Sequence, residues 1–230
     1  MFGFYGFDSY FFILVAPTIL LSLWAQFKVK STFAKYSQIR CSRGTSGAQA
    51  AQILLQANNI NNVSVENVGG SLTDHYDPSH RVLRLSQPVY SQSSIAAVGV
   101  AAHEAGHAIQ HARGYGPLVL RSTLVPIANI GSSMGPWLAI AGLAMSFPLL
   151  LNLGIMLFAG AVAFYLITLP VEFNASSRAL ANLAQNQVLS DEELRSARKV
   201  LSAAAMTYVA SALTALMSLI RLILLSQRRR

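Results

Sequence analysis

The sequence predicts a mainly α-helical membrane protein, with about four transmembrane helices and a small α+β region exposed to water. Three observations carry that expectation. Hydrophobic residues make up 53% of the 230 and charged residues only 11%, where soluble chains carry about a quarter charged residues. Uncharged apolar runs of bilayer-spanning length recur along the chain. Between the first and second of them lies a polar stretch whose spacing alternates between helical and strand periods. The formal charge of +8 does not point to nucleic acid, because the basic residues gather at the ends of apolar runs and not in a patch with aromatics. Lipid head groups and insertion topology account for that placement. The single cysteine, Cys41, rules out an internal disulfide framework and suits a reducing compartment.

Residues 1–28 form the expected N-terminal anchor, since Ser9 to Phe27 contain no charged residue. No cleavable signal is expected, because Asp8 precedes the run and Lys28 and Lys30 follow it. Lys28, Lys30, Lys35, Arg40 and Arg43, with no acid among them, place that side in the cytoplasm and the N-terminus outside. Residues 29–122 are the expected cytoplasmic region. There "TSGAQAAQILLQANN" reads as a capped helix and "VSVENV" as a strand ended at Gly69 and Gly70. "DPSH" reads as a turn feeding the strand "RVLRLS", and a second helix runs from near Ser91 to "GYGP". Residues 123–170 form a hairpin of two apolar segments joined at "SFP". Residues 171–200 return to the cytoplasm, with a capping box at Ser190 and Glu193. Residues 201–230 are a C-terminal helix that either spans or lies in the interface. Spanning would place Arg228, Arg229 and Arg230 outside, against the usual bias.

The scarce ionisable groups concentrate in "AAVGVAAHEAGHAIQHARG". Residues four apart share a helix face, so His103 and His107 present two imidazoles to one small ion. Glu104, beside the first, can reach a water held there. This is the HExxH arrangement of two zinc ligands and a general base. Its flanks are apolar, so three polar side chains would be costly to bury there without a role. A catalytic zinc needs a third protein ligand. His111 extends the row but lies eight residues from His103, roughly 12 Å along the axis, so packing or a hydrogen bond suits it better. Glu172 in "PVEFNASSRA" follows an apolar segment, where a carboxylate is rarely idle. Its alternative is an ordinary acid at a helix N-terminus after Pro170. His75, Tyr76 and Arg178 are the candidates for an oxyanion donor. The strand "RVLRLS" is either a surface for pairing with substrate or a plain edge strand. The acids of "DHYDP" read as a turn or as a second metal site.

Taken together, "AAHEAGHAIQHA" and "VEFNASSRALANL" resemble the YugP-type bacterial membrane neutral zinc metallopeptidases, relatives of the HtpX-like membrane gluzincins. The likeness extends over nearly the whole chain, including "DHYDP…VLRLS…VY". It implies one zinc per chain held by His103, His107 and Glu172, with Glu104 as base in a zincin-like domain. In the HtpX-like pattern an aspartate four residues after the glutamate supports a ligand histidine. Here Ser176 stands there, so such support would come from a neutral hydroxyl. Arg178 falls where those relatives carry an arginine. The resemblance implies a zinc endopeptidase of the bacterial cytoplasmic membrane. The basic residues after the first apolar run put its site at the cytoplasmic face, and the anchoring of its helices there makes membrane or membrane-proximal proteins the expected substrates. Its partners would be the lipid bilayer and a peptide substrate. A catalytically idle membrane adaptor is the rival from another class, and the intact Glu104 argues against it. An intramembrane protease would need the motif helix to span, and only about eight apolar residues precede His103.

Overall fold

A computed structural model describes residues 8–227. Residues 1–7 of the expected anchor and the terminal Arg228, Arg229 and Arg230 lie outside the described residues. The chain is mainly helical. After a π-turn at Phe11–Val15 come α1 (Ala16–Ser37), α2 (Gly47–Ala57), β1 (Ser64–Val68), β2 (His75–Asp77), β3 (Val82–Ser86) and α3 (Gln87–Ser91). They are followed by α4 (Ile95–Ala112), α5 (Gly116–Ala144), α6 (Pro148–Gln185) and α7 (Asp191–Gln227). Among the described residues four helical stretches, Phe11–Ser37, α5, α6 and α7, are long and apolar enough to cross a membrane.

The elements divide between two compact units. The first comprises residues up to Gln26, Val119–Pro170 and those from Met206 onward. Its α5 and α6 form a tight hairpin that turns at Ser146, a left-handed position at φ 54°. A side chain at Gly131 would collide with the Leu157 carbonyl, so the two backbones meet where a glycine permits it. Phe158, Val162, Leu219 and Leu222 fill the contact between the hairpin and α7. Asp8, which precedes the π-turn, and Ser22 of α1 meet Arg221 and Thr214 in reverse order, so α7 runs antiparallel to α1. Arg221 Nε donates to Asp8 Oδ2 at 2.9 Å, and the Ser22 and Thr214 hydroxyls lie 3.2 Å apart.

The second unit holds Phe27–Leu118 and Val171–Ala205. Ser46 and Gln49 close a reciprocal capping box at the start of α2, as their spacing predicts. Leu54, Leu83, Leu85, Val98, Ile109 and Leu183 pack into one core between α2, α4, α6 and the sheet. That sheet has the order β1-β3-β2, with β1 parallel and β2 antiparallel to β3. "RVLRLS" is therefore the central strand. It is neither an edge nor free to pair with a substrate, because both of its edges carry ladders. Near-continuous burial along β3 fits that central position. The edges are β1 and β2, the latter a three-residue strand inside the segment read as a turn or a second metal site. The motif helix also begins later than expected. "QPVYS" forms the separate short helix α3, with Pro88 in its first turn, and Ser94 then caps α4 through Ala97 N–H.

Candidate metal centre

The site is assembled on α4 and α6 within the second unit. The α4 helix is almost wholly buried, so its polar side chains must find partners inside the protein. Gly106 sets how closely the two helices approach. A Cβ there would lie 2.6 Å from the Ala175 carbonyl oxygen of α6, so any side chain would push the helices apart. One turn before Ala175, α6 presents Glu172, which is 2% exposed. Glu172 Oε2 lies 3.2 Å from His103 Nε2 and 3.6 Å from His107 Nε2. Among the described residues, His103, His107 and Glu172 are the one group of three such side chains able to surround an ion, their donor atoms all lying within 4.8 Å of one another. Glu172 sits in mid-helix, because α6 continues through Pro170 from Pro148 to Gln185. It is therefore not an acid at a helix N-terminus.

The hydrogen bonds behind the imidazoles test whether a cation fits. Arg178 has only donors to offer, and its Nε–H donates to Asn174 Oδ1 at 2.7 Å. That oxygen also accepts from Gln110 Nε2 at 3.0 Å, and the same amide nitrogen donates to the Val171 carbonyl at 2.8 Å. With its NH2 group so committed, Gln110 turns its oxygen to His107 Nδ1 at 3.0 Å, which must then carry the hydrogen. In a neutral His107 the Nε2 lone pair consequently faces a carboxylate oxygen, two acceptors 3.6 Å apart. A cation between them resolves the conflict. Nitrogen and oxygen ligands about 2.0–2.1 Å from a tetrahedral zinc sit roughly 3.3 Å from one another, close to the two separations from Glu172 Oε2. The donor set fits zinc. The same field acts on the proton equilibrium of His107. Burial opposes its charge, but the hydrogen bond with Glu172 and the nearby Glu104 and Glu172 carboxylates raise its pKa above the usual imidazole value.

Ser176, one turn beyond Glu172, places its hydroxyl 3.0 Å from His103 Nδ1, in the supporting position that a neutral residue was expected to take. Glu104 is buried beside the triad, and its Oε2 accepts the Tyr76 backbone N–H from β2 at 3.0 Å. The Tyr76 hydroxyl lies 2.8 Å from His111 Nδ1, and burial raises the phenol pKa, so this pair holds the edge strand to α4. His111 is outside the triad and makes the hydrogen bond expected of it. Arg178 reaches the triad only through Asn174 and Gln110, and its guanidinium lies 5.8 Å from the Tyr115 ring centre. His75 is exposed and turns its Nδ1 to the Thr73 carbonyl. The acids of "DHYDP" are spent on local structure. Asp77 closes an Asx-turn onto Ser79 and His80, and Arg84, then His80, hold its carboxyl well below the usual range. Asp74 accepts from Ser86 N–H and Oγ–H.

Gln110 and Asn174 are the site residues that motif reading missed. A fully buried glutamine three residues after His107 on an apolar helix was the available signal. Replacing it, Gln110→Leu, strands the His107 Nδ1–H and takes the amide donor from the Val171 carbonyl, while Asn174 Oδ1 keeps only its bond from Arg178. Zinc affinity is expected to fall about 10–100-fold, read by competition with a chromophoric zinc chelator. An unchanged affinity would show that the chain of amides has no hold on His107.

The family model described as "Putative neutral zinc metallopeptidase" matches residues 11–227. The chain is 50% identical over 215 residues to "Putative membrane protease YugP" of Bacillus subtilis (strain 168), covering 94% of this chain and 96% of that relative. No solved structure matches it. The chain belongs to this family of membrane zinc metallopeptidases, as the motif resemblance implied.

Proposed function

We propose that this family member is a membrane-anchored zinc endopeptidase of the gluzincin type, binding one zinc per chain through His103, His107 and Glu172. The observation that carries the reading is the convergence of His103 and His107 of α4 with Glu172 of α6, beside the buried Glu104 of α4. When bound, zinc would lower the pKa of a water and polarise the peptide carbonyl. Everything else falls to the chain's own groups. Glu104 takes the proton from the attacking water and passes it to the leaving nitrogen. The Tyr76 N–H fixes the carboxylate in place meanwhile. Ser176 and Gln110 orient the two imidazoles from behind. Strand addition by a substrate is assigned to the outer edge of β2, since β3 is paired on both sides.

The placement in the membrane is part of the proposal. α7 is taken as the fourth span because it lies lengthwise on α1, an arrangement that an interfacial helix would not adopt. The five basic residues between Lys28 and Arg43 put the zincin-like catalytic domain on the cytoplasmic side of a bacterial cytoplasmic membrane. Glu172 follows an apolar segment that ends only three residues earlier, at Leu169, which favours membrane proteins and their adjoining loops as substrates. The test is metal content and cleavage of an unstructured protein reporter by the purified full chain. One zinc per chain is expected, with cleavage abolished by a chelator and restored by zinc. A protein that takes up no zinc under replete conditions would sink the reading and leave the adaptor in its place.

A further inference from the structure

Beyond the triad, α6 and α7 enclose a groove of about 480 Å³ that neither the metal site nor Glu104 uses. Phe173, Ser176, Leu180 and Ala181 of α6 form one wall, and Leu194 and Arg198 of α7 the other. The stripe from Phe173 to Ala184 is roughly 16 Å long at 1.5 Å per residue, room for about four or five extended residues. Two features point to an occupant. Phe173 is 49% exposed, a large ring left open at the head of the groove. Arg198 is the one charged side chain in the lining, and among the described residues it has neither an ion pair nor a hydrogen bond. The groove also adjoins the metal site. Ser176, which lines it, holds His103 by the nitrogen turned away from Glu172. It therefore passes behind the triad and is suited to a part of the substrate remote from the cleaved bond.

We propose that this groove is an exosite for an extended peptide segment of the substrate, one whose apolar side chains lie against Phe173 and Leu180 and whose carboxylate meets Arg198. The inference rests on the peptidase reading and names the substrate chemistry that the site prefers. Binding there is shared by ground state and transition state, so it acts on KM and leaves kcat alone.

The test uses the full chain in detergent and two labelled hexapeptides, Gly-Leu-Ala-Phe-Leu-Glu and its Gln counterpart, both amidated at the C-terminus. Fluorescence anisotropy is expected to show the acidic peptide binding roughly fivefold tighter, as a partly exposed ion pair allows. Arg198→Ala should erase the difference, and Arg198→Glu should shift preference to a lysine peptide. With the protein reporter, Arg198→Ala should raise KM at unchanged kcat and zinc content. Equal binding of the two peptides by the natural chain, or a preference that survives Arg198→Ala, overturns the exosite. So does Arg198-dependent binding of phosphatidylglycerol vesicles without peptide binding, which would make the groove a lipid site. Failure of the peptidase reading looks different: the Arg198-dependent peptide preference persists while no reporter is cleaved.

Discussion

Glu104→Gln is expected to keep one zinc per chain and lose peptide hydrolysis by about 10²–10⁴-fold, the contribution of a positioned general base. The two halves of that result separate base from ligand. Glu104 is not among the three convergent donors, so metal content measured by atomic emission should match the natural chain. The amide oxygen of the variant can still accept the Tyr76 N–H, which keeps β2 seated against α4 and the thermal midpoint close to that of the natural protein. What the amide cannot do is take a proton at neutral pH. A thousandfold loss corresponds to about 4 kcal/mol of transition-state stabilisation. The measurement is kcat on the unstructured reporter, with metal content on the same sample. Activity within tenfold of the natural chain, at full zinc, would remove Glu104 from the base role. Activity lost together with zinc would instead place Glu104 among the ligands.

How far the site could be read in advance depends on the distance along the chain between its parts. His103, Glu104 and His107 share one helix, so helical periodicity alone places their side chains together, and the structure brings both imidazoles to one point. Glu172 is 69 residues from His103 and is joined to it by packing, which no local rule predicts. Its expected alternative as a helix-start acid came from treating Pro170 as a breaker. In α6 the proline is carried inside a continuous helix, where it removes a single backbone donor. The sheet was less legible. "VSVENV" and "RVLRLS" show strand periodicity, but their order does not follow from it, and β2 is too short to announce itself. The near-unbroken burial of β3 reflects the apolar Val82, Leu83 and Leu85, a sign of a central strand already present in the letters. Gln110 and Asn174 were hidden for a different reason. Their role lies in hydrogen-bond direction, and direction becomes fixed only when the donors of Arg178 and the acceptor at Val171 are in place.

Removing the third donor should produce the largest change in metal binding. Glu172→Ala is expected to leave the purified chain with less than about a tenth of its zinc after dialysis against a zinc buffer that saturates the natural protein. The argument rests on charge as well as on coordination number. Glu172 supplies the only anionic donor of the triad, and two neutral imidazoles alone leave the ion with half of a tetrahedral protein shell. Glu172→Gln is the sharper companion, because it keeps the volume and a carbonyl oxygen while discarding the charge. Stability gives a readout independent of activity. A ligand that binds only the folded state stabilises it by RT ln(1 + [L]/Kd), about 4 kcal/mol at a thousandfold excess over Kd. Zinc should therefore raise the melting midpoint of the natural chain by several degrees and barely move that of either variant. The metal-free variants also lose the carboxylate that raises the His107 pKa, so the zinc-dependent rise, and not the metal-free midpoint, is the quantity compared. If Glu172→Ala instead binds zinc normally and keeps the zinc-dependent rise, the third ligand lies elsewhere. Glu104, buried beside the two histidines, would then be the first residue to examine.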